Sequence, residues 1–227
     1  MPSISIIVPA RNEATTIVDA LTELQSWRQL GHEVIVVDGQ STDNTVKLAY
    51  PLCDTLIRSH PGRALQMNVG ANAASGDLFL FLHADSILPT TALTELSELA
   101  NGSHNVWGRF DVRFDTTSFP YKCIATLMNW RSRITGVATG DQAIFISRTL
   151  FNDGGGFPNI ALMEDIAMST QLRGDQDPIC LRSKVTTSAR RWQTQGLVRT
   201  IVTMWCLRLA FFFGVSPVRL REIYDRQ

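Results

Sequence analysis

The sequence predicts an α/β chain built on a doubly wound, mostly parallel sheet, and three observations predict it. Short apolar runs at residues 3–8, 33–37, 54–59 and 78–82 alternate with segments of helical period. The run 78–82 is five consecutive large apolar residues with no polar face, as a strand buried on both sides requires. Proline, glycine or polar residues end each run at a pace that suits right-handed crossovers.

The elements follow in order. Residues 3–8 form a β-branched strand closed by Pro9. After the polar turn Ala10-Arg11-Asn12-Glu13, Ile17, Ala20, Leu21, Leu24 and Trp27 recur at helical spacing until Gly31. Residues 33–37 are a second strand ending in Asp38-Gly39. Ser41-Thr42-Asp43 opens a helix that runs to Tyr50, with Pro51 as its stop, and residues 54–59 are a third strand. Residues 62–75, rich in Ala, Leu, Met and Gln, form a helix closed by Gly76. The fully apolar strand 78–82 follows and leads to His83-Ala84-Asp85.

Beyond it the β–α alternation loosens. Residues 88–100 are helical. Residues 106–114 alternate apolar with charged, as an antiparallel or edge strand does. A helix at 119–134, a strand at 142–147, a flexible loop at 153–158, a helix at 164–172 and a strand at 179–187 complete this half. An apolar final helix spans 197–213. One domain is expected over residues 1–227: a nucleotide-binding half to residue 85, an acceptor half over 86–192, and a C-terminal apolar helix with a basic tail over 193–227.

Composition narrows the class. A chain of 227 residues, 44% hydrophobic and 19% charged, can bury a real core and is not disordered. Its net charge of zero gives no field for nucleic acid. Cys53, Cys123, Cys180 and Cys206 form no CxxC pair, so neither a zinc knuckle nor a disulfide framework is expected. The N-terminus lacks a basic segment and a long apolar stretch, which sets a cytoplasmic expectation.

Polar groups stand just past the apolar strands: Asn12-Glu13, Asp38 and Asp85. Parallel strands end on one edge, so these carboxylates are expected to converge there. Each also has a structural reading, as a helix-start acid, a turn residue or a cap. Together, converging acids repel unless a cation lies among them, which points to Mg2+ or Mn2+ and a phosphate ligand. No GxGxxG or GxxxxGK[ST] loop is present, so a metal rather than a backbone nest must hold that phosphate. No GxSxG elbow or HExxH pair occurs either.

Read in order, Pro9-Ala10-Arg11-Asn12-Glu13, the block Asp38-Gly39-Gln40-Ser41-Thr42-Asp43-Asn44-Thr45, Gly62-Arg63 with Asn68 and Gly70, and His83-Ala84-Asp85 resemble the signature of family 2 glycosyltransferases with the GT-A fold. Glu164-Asp165 and Arg190-Arg191-Trp192 continue the order, so the resemblance covers residues 3 to about 192. The short length, the His-Ala-Asp triplet and the Ser188-Ala189-Arg190-Arg191-Trp192 ending are similar to a small bacterial subgroup often labelled arsenosugar-biosynthesis glycosyltransferases.

The resemblance implies a role for each residue. Asp38 would accept from a uracil-type base edge, with Glu13 near the nucleoside beside the Pro9-Ala10 backbone. Arg63 would pair with base or diphosphate, and Asp85 would bind Mn2+ or Mg2+ against the diphosphate of a nucleotide-sugar, with a UDP-linked donor expected. His83 stands where many members carry a first aspartate. Glu164 would contact substrate and Asp165 would be the general base of an inverting displacement onto the hydroxyl of a small-molecule, glycan or lipid acceptor. Gly140-Asp141-Gln142 looks like the acceptor-side motif, with the loop before Glu164 as a lid. Arg191 and Trp192 would meet diphosphate and sugar, although Ser188 stands where the motif usually has Gln. The alternatives are a nucleotide-sugar-binding or membrane scaffold without turnover, and a nucleotidyltransferase, whose basic Gly-rich loop after the first strand is missing.

The segment 197–215, opening at Leu197, is apolar, yet Arg199 and Arg208 interrupt it, and a central Arg costs about 2.5–3.5 kcal/mol on insertion scales. A helix lying on a membrane, a dimer interface, or a cover for its own domain are the three expectations for it.

Overall fold

A computed structural model describes residues 2–102 and 105–225. Among them, eight strands form one sheet: β1 Ile4–Ala10, β2 Glu33–Asp38, β3 Thr55–Arg58, β4 Leu78–Phe81, β5 Ser86–Ile87, β6 Trp107–Phe114, β7 Ile144–Ser147 and β8 Ile179–Thr187. Their order is β3-β2-β1-β4-β7-β6-β8-β5. The first four run parallel, β7 runs antiparallel between β4 and β6, and β8 runs parallel to β6. The mostly parallel sheet with a mixed second half matches the expectation.

The central position of β4 follows from its sequence. All four of its residues are buried, with Leu78 and Leu80 on one face and Phe79 and Phe81 on the other. Each face lies in its own apolar cluster. Full burial of one such side chain stabilises by about 1.5–3 kcal/mol, so a strand apolar on both faces belongs inside the sheet.

Helices cover both faces. They are α1 Ile17–Glu23, α2 Gln25–Gln29, α3 Thr45–Ala49, α4 Arg63–Ala73, α5 Ala92–Gly102, α6 Phe119–Thr135, α7 Arg148–Asp153, α8 Glu164–Arg173, α9 Arg190–Gln195, α10 Leu197–Phe212 and α11 Pro217–Asp225. In α4, Gly70 allows the helix to sit directly on the sheet, because a Cβ there would lie 2.5 Å from Ile7 Cγ2. Gln66 of the same helix is buried and donates from Nε2 to Ala10 O at 3.0 Å and Val37 O at 2.8 Å. One amide thus bonds two carbonyls at the C-terminal ends of β1 and β2, the edge where their loops start.

Several sequence expectations are corrected. Pro9 does not close β1: it pairs with Val37, but β4 has already ended beside it, so its missing N–H breaks no ladder. The helix expected over 17–27 is two pieces meeting at Leu24. Ser41 to Asp43 do not start a helix. Asp43 instead accepts from Thr45 N at 2.9 Å, and α3 begins at Thr45. α3 ends at Ala49, and Pro51 follows it inside a 3-10 turn, Tyr50–Leu52.

Residues 107–114 alternate as expected but are not an edge strand. β6 has neighbours on both sides, and α6 covers its polar face. Arg109 and Asp111 are therefore buried and pair with one another. Arg133 Nη2 donates to Asp111 Oδ1 at 2.9 Å, and Asn129 bridges Val112 N and O from α6. The flexible loop expected at 153–158 is pinned at its end. Asn68 brackets Phe157 with two backbone bonds of 2.8 and 2.9 Å, and Phe157 packs on Phe81 and Phe151. The apolar helix at 197–212 is not the last element, since α11 follows where a basic tail was expected.

Candidate active site

The C-terminal edge of β1 and β4, the turn before β7, the start of α8 and the C-terminal helices enclose a cavity of about 290 Å³. Its wall carries Asp85, Asp141, Glu164 and Asp165 together with Arg63, Arg190, Arg191 and Arg208. A larger open groove of about 640 Å³ lies under α6, but its one acid, Asp115, is tied to Ala189 N at 2.8 Å.

Each charged group is placed by local structure. Asp85 stands just past β4, and its nearest hydrogen-bond donor is Ser86 Oγ at 3.4 Å, which leaves most of the carboxylate facing the cavity. Gly140 and Asp141 belong to a short 3-10 turn, Gly140–Gln142, held by a capping box between Thr139 and Gln142. Gln142 is anchored in turn by donation to Ser132 Oγ at 3.0 Å. Met163, in the left-handed region at φ 71°, turns the chain so that Glu164 and Asp165 begin α8 at the cavity wall.

Asp165 is fixed at both oxygens. Oδ2 accepts from Gly140 N at 2.8 Å and Oδ1 from Ile166 N at 2.7 Å. The acceptor-side turn and the start of α8 are thereby joined through one carboxylate. His83 lies across the same turn, with Nδ1 3.4 Å from Asp141 Oδ1 and Nε2 buried without a partner. Gly140 is required there, since a Cβ would stand 2.5 Å from that Nε2. His83 therefore meets the Asp141 carboxylate.

The electrostatics are mutual. Burial works against the charge of Arg63, but Glu164, Asp165, Asp141 and Asp85 outweigh it and raise its pKa. Burial pushes Asp141 up, while His83, Arg63 and Arg208 pull it further down, so its net shift is downward. Glu164 is raised, first by burial and then by Asp165, against the pull of Arg63 at 3.7 Å. Behind the wall, burial and the nearby Arg208 lower Arg131 to about 10.

The Glu164 shift has a pH consequence. The native protein holds a proton that the unfolded chain has released, so folding stability falls as pH rises from about 4.5 towards the folded value. Glu164→Gln is expected to flatten that fall. Thermal midpoints of both proteins taken across this range check it, and parallel curves would remove the assignment.

Of the residues singled out in the sequence, Glu13, Arg63, Asp85, Glu164, Asp165, Arg191 and Trp192 line the cavity. Pro9 lines a small void of about 10 Å³ beside it, shared with Arg63 and Asp165. Ala10 and Asp38 do not reach it. Ala10 is buried, and Asp38, 2% exposed, accepts Ser41 N at 3.2 and 3.3 Å. The expected convergence thus holds for Glu13 and Asp85, which line one cavity, and fails for Asp38, while Asp141, Glu164 and Asp165 join them from the second half of the chain. Glu13 sits at the rim and pairs with Arg190 at 3.1 Å. Arginines already supply counter-charge, so repulsion among acids does not by itself demand a metal. Among the described residues no three His, Cys, Asp or Glu side chains are grouped to hold one. One free carboxylate edge fits an ion shared with a ligand's phosphates, which is how Mg2+ is commonly bound.

Arg191 and Trp192 are also engaged in packing. The Arg191 guanidinium lies 3.7 Å from the centre of the Tyr224 ring, and Trp192 meets Phe114 edge-on at 5.5 Å. Thr200, Met204 and Arg208 of α10 and Tyr224 of α11 were not singled out from the sequence. A signal existed: the three α10 residues are spaced four apart and share one helix face. One side of α10 therefore covers its own domain's cavity.

A family model described as Glycosyl transferase family 2 matches residues 5–152. The chain belongs to this family. It is 23% identical to the poly-beta-1,6-N-acetyl-D-glucosamine synthase of Staphylococcus aureus, aligned over 99% of this chain and 57% of that protein. It is 28% identical to an uncharacterized glycosyltransferase of Haemophilus influenzae, over 77% of this chain and 59% of that protein. The family 2 chain thus spans somewhat over half the length of these relatives. Among solved structures, S. aureus TarS 1–349 matches with a TM-score of 0.66 at 18% identity, over 82% of this chain and 60% of that one. The mannosyltransferase PcManGT of Pyrobaculum calidifontis, solved with GDP-Man and Mn2+, matches with a TM-score of 0.65 at 19% identity, over 98% of this chain and 68% of its own. The family 2 chain has the GT-A fold of these neighbours.

Proposed function

We propose that the chain transfers a sugar from a nucleotide-diphosphate donor to an acceptor hydroxyl, with inversion. The observation that supports this is that Asp85, Arg63, Arg191 and Asp165 line one cavity. Solved neighbours support the donor class: one TarS structure holds UDP-GlcNAc and PcManGT holds GDP-Man.

In this reading Arg63 and Arg191 offset the diphosphate charge, with Trp192 beside the sugar. Asp38, capping the 38–41 turn, and Glu13, with the Pro9-Ala10 backbone, shape the nucleoside end. Asp165, oriented by Gly140 N and the start of its own helix, takes the acceptor hydroxyl's proton, and Glu164 holds Arg63 in place. Asp85 would hold Mn2+ or Mg2+, which on binding would neutralise charge on the departing diphosphate.

A panel of UDP- and GDP-sugars, each with Mn2+, Mg2+ or chelator, tests the reading. The expected result is a rise in thermal midpoint with one nucleotide class that depends on the metal, together with slow release of nucleoside diphosphate. Metal-dependent binding without any turnover would favour a scaffold role. No nucleotide-dependent shift under any condition would end the transferase reading.

A further inference from the structure

We propose that the outer faces of α6 and α10 form one surface that docks on an anionic lipid bilayer. In α6, Phe119, Leu127, Trp130 and Ile134 project to solvent, and Trp130 is 65% exposed. In α10, Val198, Val202, Trp205, Leu209 and Phe212 do the same, with Trp205 71% and Phe212 82% exposed. The α10 set recurs every three or four residues and the α6 set at spacings of eight, three and four, so each is a single stripe along its helix. Tyr121 and Met128 of α6 and Leu197 and Ile201 of α10 pack against one shared apolar cluster.

Two observations choose the bilayer as occupant. Neither helix contains an Asp or Glu, and exposed Lys122 and Arg199 flank the apolar stripes, a pattern that suits anionic headgroups. Two copies meeting through this face would bring basic edges together with no acid on either helix to offset them. The tryptophans also suit a surface that is apolar on one side and wet on the other. No helix among the described residues is long and apolar enough to cross a membrane, so the face would lie on the bilayer. The inner side of α10 presents Thr200, Met204 and Arg208 to the candidate active site. Docking would therefore hold the cavity close to the lipid surface. The inference does not depend on the donor reading above.

Co-sedimentation with vesicles of phosphatidylcholine, alone or mixed with phosphatidylglycerol, tests it at low and high salt. The protein is expected to pellet with the mixed vesicles at low salt and to be released as salt rises. Trp130→Glu with Trp205→Glu should lower the bound fraction's partition coefficient by at least about tenfold. Lys122→Glu with Arg199→Glu should lower it by about tenfold or more on the anionic vesicles. An unchanged thermal midpoint and unchanged UDP binding, measured on the same samples, show that each variant is folded. Failure of the wild type to bind UDP would count against the donor reading and leave this one standing. Wild-type protein that stays in the supernatant with both vesicle types would overturn the proposal. So would a partition indifferent to the tryptophan changes, or a concentration-dependent dimer that those changes dissociate.

Discussion

Asp165→Asn is expected to lower kcat by roughly 10²–10⁴-fold, the usual contribution of a positioned base. The loss should fall on kcat and kcat/KM alike, because the proton is taken only as the transition state forms. Donor affinity should change little. The substitution also has a structural cost. An amide can accept from only one of Ile166 N and Gly140 N, so its NH2 group would oppose the other N–H. An unmet pair of this kind costs about 1–3 kcal/mol, so the variant should also melt earlier. Binding of nucleoside diphosphate separates the two effects: a variant that binds normally but turns over slowly has lost the base. A variant with wild-type kcat would remove Asp165 from that role.

Asp85→Asn is expected to act on the other side of the cavity. It removes the charge of a carboxylate held only by a weak bond from Ser86 Oγ, and metal activation should need at least about 10–100-fold more divalent ion. The defect should shrink as Mn2+ is raised, whereas the Asp165→Asn defect should not. Little stability should be lost, because Asp85 makes a single weak hydrogen bond. Rates measured against Mn2+ concentration for both variants check the contrast. An activation curve that Asp85→Asn leaves in place would show that the ion, if used, is held elsewhere.

The two variants divide the cavity into a leaving-group side and an acceptor side. That division runs along the chain. Asp85 and Arg63 come from the parallel half, while Asp141, Glu164 and Asp165 come from the half where the sheet reverses. The antiparallel β7 joins them: it pairs with β4 over Leu78–Phe81 and starts immediately after the Gly140–Gln142 turn.

The sequence by itself determined the strand and helix alternation, the central place of β4 and the residue order that marks the family. These rest on local physics. An apolar run of period one needs cover on both faces, and a helical stripe needs one partner face. Glu13 and Asp85 line the cavity because strand ends are where a parallel sheet exposes its polar groups, whereas Arg63, Glu164, Asp165, Arg191 and Trp192, which also line it, were marked by the family resemblance. Tertiary structure alone decided the rest. The polarity of Arg109 and Asp111 suggested solvent, but α6 covers them and they pair beneath it. Asp38 looked equivalent to Asp85, yet its carboxylate turns back on Ser41 N. Arg208 interrupted an apolar helix for no local reason, and its reason is the cavity across which it faces Asp141 and Asp165. Asp38 and Arg109 meet partners only two or three residues away, but the fold decides which side they turn to; Arg208 meets acids far along the chain, and spacing in sequence carries no record of which distant surface a side chain will meet.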